Sequence, residues 1–141
     1  MKFIIFFMPI IIFGQCRDEA SSFDSLQLEY SATSRGLFQQ IVINKNSVNV
    51  QGERNEKRIE KPISKENWEK IIKPIKDISL DSLSSYEGPS QDRLFDGAAI
   101  GKLKILLNDK IYESQPFDHG NPPKEIEALV KEILSISQNI E

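Results

Sequence analysis

From residue 26 onward the apolar positions of the chain fall into two periods. Leu26, Leu28, Tyr30 and Ala32 alternate with Gln27, Glu29, Ser31 and Thr33, the period of two of a strand with one buried face. Ser34-Arg35-Gly36 reads as a turn, and Leu37–Ile43 as a second strand rich in bulky and β-branched residues. Asn44-Lys45-Asn46 reads as another turn, followed by a short third strand at Ser47–Gln51. A further turn at Gly52–Asn55 leads to Lys57–Ile63, a charged strand suited to a sheet edge, where Lys and Pro62 discourage unwanted pairing. The period then changes. Trp68, Ile71, Ile72, Ile75 and Ile78 recur at spacings of three and four behind Ser64, a helix-capping residue. Pro74 lacks an N–H and clashes with the preceding turn, which predicts that the regular helix ends or kinks at Ile72–Lys73.

Residues 79–97 keep neither period beyond a single helical turn around Leu80–Leu83, and connections this long often carry function. Ala98–Leu107 and Ile111–Gln115, about the turn Asn108-Asp109-Lys110, predict a second hairpin, in which Gly101 leaves room for another backbone or a ring. Asn121 is placed to cap a last helix whose first positions are Pro122 and Pro123 and whose apolar stripe is Ile126, Leu129, Val130, Ile133 and Leu134. The order predicts an α+β domain: an antiparallel sheet of about five to six strands, built as a meander, helix, hairpin and helix, with both helices on one face. No solenoid repeat is present, only a loose duplication of a hairpin followed by a helix.

Ahead of this pattern stands a different one. Lys2 is followed by an apolar run, Phe3–Phe13, then Gly14, Gln15 and the only cysteine, Cys16. The run matches the apolar region of an export signal and is too short to span a bilayer before Arg17, Asp18 and Glu19 end it. Two fates follow. Cleavage before Cys16 would expose the thiol to diacylation and tie the protein to a membrane through lipid, although Gln15 is larger than the residue a lipoprotein peptidase prefers there. Cleavage after Gly14 would release a free chain, although Ile12 misses the small residue wanted two positions earlier. A lone cysteine in an oxidising compartment calls for a use, and acylation supplies one. The organisation is then a signal over 1–15, a polar tether over 16–25 and one domain over 26–141, exported to the cell envelope of a bacterium or secreted.

Composition narrows the function classes. Losing 15 of 141 residues leaves 126, enough for one core, and losing Lys2 takes the formal charge from −3 to −4, which disfavours nucleic acid and anionic surfaces as partners. The single histidine, His119, lies in Phe117-Asp118-His119-Gly120-Asn121-Pro122-Pro123. As chemistry, Asp118 and His119 would make the acid/base pair of a small hydrolase or half of a metal site, with Asp92 or Asp96 brought in from the long loop. As structure, a strand-to-helix corner calls for the same Gly, Asn and Pro, and His119 bonds a backbone carbonyl or solvent. Without a second His or an available Cys, a metal or other cofactor has no support. The loop Gly88–Gly97 offers Asp92, Arg93 and Asp96 to a partner. Alternatively, Arg93 or Arg35 pairs with Asp96 or Asp118 to stitch loops together while Phe95 plugs the core edge. No serine-hydrolase elbow or phosphate-binding Gly-rich loop is present.

The stretch from Tyr30 through Ser34-Arg35-Gly36, the Trp68 helix, Asp96-Gly97-Ala98 and Phe117–Pro123 before an Ile-Leu-Val helix resembles a group of small envelope proteins of Gram-negative bacteria. That group has no assigned activity, so the resemblance implies fold and export and transfers no functional residue. In layout the chain also resembles emfourin-type inhibitors of thermolysin-like metalloproteases, with Ser34-Arg35-Gly36 where those inhibitors commonly carry a Gly-Gly-like first turn. The expected function is a non-catalytic, lipid-anchored envelope module that binds an unidentified protein through loops around Arg35, Asp96 and His119. A secreted or periplasmic protease inhibitor is the alternative.

Overall fold

The computed structural model describes residues 22–140, so the signal, Cys16 and most of the tether lie outside the described residues. The chain builds an α+β fold: seven antiparallel strands in one sheet, with two helices packed on each other and on one sheet face. The strands are β1 (Gln27–Thr33), β2 (Phe38–Asn44), β3 (Ser47–Gln51), β4 (Ile59–Pro62), β5 (Ile100–Leu107), β6 (Lys110–Glu113) and β7 (Phe117–Asp118). Their order is β4-β3-β2-β1-β5-β6, with β7 pairing with β5 beside β6. The helices are α1 (Lys65–Ile75) and α2 (Glu127–Gln138).

The alternation read from sequence is what sorts the two faces. Leu28, Tyr30 and Ala32 of β1 pair across to Ile43, Ile41 and Gln39 of β2 and to Ile105, Leu103 and Gly101 of β5, so one pleat face collects nearly all the apolar side chains. Ile71 and Ile75 of α1 and Leu129, Val130, Ile133 and Ile136 of α2 close over it, each almost wholly removed from water. Burying a side chain of this size is worth about 1.5–3 kcal/mol. The opposite pleat face carries Glu29, Ser31, Thr33, Gln40 and Lys102. β4 is one edge of the sheet; all four of its residues are exposed, and Lys61 donates to the carbonyl of Ile140 at 2.6 Å. An edge studded with charge and ended by Pro resists pairing with another chain.

Local chemistry explains the turns. Asn44 Oδ1 accepts from the N–H groups of Asn46 and Ser47 and closes the β2–β3 turn. Asn108 and Asp109 both hold positive φ, at 50° and 63°, as the two-residue hairpin loop between β5 and β6 demands; Lys110 therefore belongs to β6 and not to the turn.

Four further expectations change. Residues 22–25, expected to end the tether, form a 3-10 turn fixed to the domain: Phe23 packs on the core, Asp24 pairs with Lys45 at 2.7 Å, and Ser25 Oγ donates to Asn108 Oδ1 at 2.8 Å. Helix α1, capped by Ser64 Oγ as expected, runs through Pro74 to Ile75; placed in the last turn, Pro74 forfeits only one helical bond, and burial of Ile75 holds the turn in register. Asn121 does not cap α2. The helix begins six residues later at Glu127, after a turn in which Ile126 N–H donates to Pro123 O, because Pro123 keeps Pro122 out of the helical region. The sheet also gains β7, a two-residue strand too short to register as a period.

Gly101 admits the ring expected there. A Cβ on Gly101 would lie 2.7 Å from Cε2 of Phe117, and Phe117 is fully buried. Gly101→Ala therefore costs about 1–3 kcal/mol, read as a lower denaturant midpoint at unchanged slope. Adding Phe117→Leu to that variant should recover part of the loss.

Candidate functional site

Chain alternation through β7 sends consecutive side chains to different tasks. Phe117 turns inward, its ring 6.3 Å from that of Tyr30. Asp118 turns the other way and is 2 % exposed. Its Oδ2 accepts from Ser90 Oγ at 2.6 Å and from the Asp92 N–H at 2.7 Å; its Oδ1 accepts from the Arg93 N–H at 3.0 Å and from Arg93 Nη1 at 3.1 Å. Arg93 Nη1 also donates to Ser90 O, and Asn121 Nδ2 donates to Ser90 Oγ at 2.7 Å. Burial by itself pushes the Asp118 carboxyl up. The Ser90 hydroxyl, the two backbone N–H groups and the Arg93 guanidinium outweigh it and hold the carboxyl down at about 2.

This clamp shapes the loop above it. Asp92 and Arg93 are drawn onto the carboxylate by their own backbone, within a 3-10 turn over Asp92–Phe95. Asp96 then takes the left-handed conformation at φ 57°, and Gly97 N–H returns to Asp92 O at 2.9 Å. With the backbone N–H groups of residues 92 and 93 turned inward by so tight a turn, the next two side chains face out: Leu94 is 63 % and Phe95 85 % exposed. The expectation that Phe95 plugs the core edge is overturned. Both loop-stitching ion pairs do form. Arg93–Asp118 is sheltered, whereas Arg35–Asp96, at 3.8 Å between well-exposed side chains, contributes little.

His119 returns to the inward side. Its Nδ1 lies 2.7 Å from the hydroxyl of Tyr30, whose side chain is wholly buried on the central strand, and its backbone N–H donates to Ala99 O. Burial pushes the Tyr30 phenol well above its ordinary range, so the hydroxyl keeps its proton, and because that proton has no other acceptor among the described residues it is donated to Nδ1. That assigns the ring proton to Nε2. Burial also pushes His119 below its ordinary value, leaving the ring neutral at pH 7. At Nδ1 the partner is Tyr30 and not a backbone carbonyl.

Of the residues singled out from sequence, Asp92, Arg93 and Asp118 converge in the clamp, Arg35 and Asp96 meet at its rim, and His119 stands apart from Asp118 with its own partner. No hydrogen bond joins Asp118 to His119 among the described residues. Nor do three His, Cys, Asp or Glu side chains there gather as metal ligands. A small open cavity of about 150 Å³ beside the clamp is lined by Glu87, Gly88, Gln91, Arg93, Gln115 and Pro116. Ser90 and Tyr30 were missed as partners. Tyr30 carried a signal, since a Tyr at an inward strand position needs a partner for its hydroxyl; Ser90 carried none. No described helix is long and apolar enough to cross a membrane. No family model, curated protein or solved structure matches this chain.

Both perturbed groups make acid destabilising. His119 has a folded value below its ordinary 6.5, so below that pH the unfolded chain takes the proton first, and the stability present above pH 6.5 declines as pH falls. Asp118 repeats the loss at lower pH, its contribution being complete above 3.8 and disappearing as pH falls towards 2. Denaturant unfolding measured from pH 8 to 3 should show both declines. His119→Asn removes the first, and Asp118→Asn flattens the second while lowering stability at neutral pH.

Proposed function

We propose that this chain is a non-catalytic, exported envelope module that binds a protein partner through the loop Asp92–Gly97, with Leu94 and Phe95 as its apolar anchor. The observation that carries this reading is the exposure of Phe95, 85 %, on a loop whose backbone is bound to a buried carboxylate. A large apolar side chain exposed at rest loses water only when something covers it, and a loop already ordered forfeits little entropy on binding. Arg35 and Asp96 beside it supply a polar rim. The N-terminal apolar run Phe3–Phe13, with Cys16 close behind it, supports export with attachment by lipid.

A photo-crosslinking residue in place of Phe95, expressed in the native host, should give a discrete adduct that one in place of Lys45 does not, and Leu94→Ala should weaken it. Equal labelling from both positions, or none from position 95, sinks the reading. Phe95→Ala itself should leave stability within about 0.5 kcal/mol, since its ring is outside the core.

The same rigid, projecting loop favours one alternative, a protease inhibitor that inserts it into an active-site cleft. In that case the full chain slows a thermolysin-like protease at near-stoichiometric amounts, survives uncut and loses this effect in Phe95→Ala. Attachment is read separately: the intact mass from the host envelope equals residues 16–141 plus acyl chains if Cys16 is lipidated.

A further inference from the structure

We infer that the Tyr30–His119 hydrogen bond is a pH latch on the Asp92–Gly97 loop: a proton taken up at Nδ1 of His119 undoes the bond and loosens the corner that carries Asp118.

The bond depends on one polarity. Tyr30 is 0 % exposed, and among the described residues its hydroxyl bonds to His119 Nδ1 alone, at 2.7 Å. When Nδ1 gains a proton, an O–H and an N–H face one another. The hydroxyl can turn to accept, but its own hydrogen then has no acceptor among the described residues. The imidazolium has a better course, since its ring is only part-buried and can swing out to water. No charged side chain among the described residues bonds to the ring and could hold it in place.

Release reaches the loop through a short path. Asp118 and His119 are adjacent, and their segment is a tight corner closed by Asn121 N–H to Asp118 O at 2.8 Å and His119 N–H to Ala99 O at 2.9 Å. The Asp118 oxygens hold their donors at 2.6–3.1 Å, so a sub-ångström shift of the corner lengthens those bonds past their useful range. The groups around the corner are Tyr30 from β1, Asp118 on the opposite side of β7, and Asp92 and Arg93 beyond it on the loop. Asp118 stays ionised well below the range in which His119 titrates, so it is the ring that changes charge. The latch stands independently of what the loop binds.

Amide hydrogen exchange on the full chain, corrected for intrinsic rates, reads it directly. Between pH 7.5 and 5.5, protection of the Asp92 and Arg93 N–H groups should fall about tenfold or more in step with the His119 ring signals, while the Tyr30 N–H on the central strand stays protected. His119→Asn, which cannot take the proton but still offers an acceptor, should hold that protection flat. Should that variant fail to fold, Tyr30→Phe serves instead: protection at Asp92 and Arg93 is already reduced at pH 7.5. Constant protection through the ring titration overturns the latch, as does the same fall in His119→Asn. It is equally overturned by loss at Tyr30 together with the loop, or by a ring that takes no proton before the chain unfolds.

Discussion

A carboxylate removed from water must find donors for both oxygens or give up its charge, and Asp118 finds four. All four come from one short stretch, Ser90 to Arg93, two of them from its backbone. The sequence of a polar loop seldom fixes its conformation, because solvent satisfies it equally well in many. Here the demand of one buried charge fixes Ser90, Asp92 and Arg93, and the turn they enter carries the residues after them. The outward turn of Leu94 and Phe95 is the other side of the same constraint.

Asp118 can make that demand only because it is itself held. Its neighbour Phe117 is wedged into the space Gly101 leaves, and its other neighbour, His119, is bonded to Tyr30 and to Ala99. Tyr30 and Gly101 both belong to strands paired in the middle of the sheet, so a two-residue strand at the rim inherits the rigidity of the core. Without Gly101 the ring of Phe117 would need another site, and the corner would move with it.

The parts legible from sequence are those in which a repeating physical demand is written many times. Strand alternation from Leu26 to Gln51 and helical spacing from Trp68 to Ile78 each state burial several times over, so the sheet and α1 were readable, and Ser64 marked the helix start. The misreadings were single residues with two possible uses. Asn121 resembles a cap, but its side chain serves Ser90; Pro74 resembles a terminator, but sits one residue from an end already coming; Phe95 resembles a plug, but the clamp turns it out. The candidate site was half legible. Arg93 and Asp118 stood out as charges near a corner, and Gly101 announced a close approach. Which partner each would choose depended on β7 pairing with β5, a contact of two residues that no periodicity betrays.

The register also gives the domain two poles. Gln27, where the described chain enters β1, pairs with Asn44 and Leu106, while Thr33, at the other end, pairs with Phe38 and Ile100 beside the Arg35–Asp96 rim. Ile140 meets Lys61, which lies opposite Val48 at the first pole, so both ends of the described chain stand about 20 Å, the length of a seven-residue strand, from the loop. A pull between that pole and a partner held at Phe95 would run along β1, a strand bonded over its whole length to neighbours on both sides. Such a load acts in shear: the rungs of two ladders must yield together rather than one after another. Among the described residues, a load between Gln27 and the loop therefore meets both ladders of β1 at once.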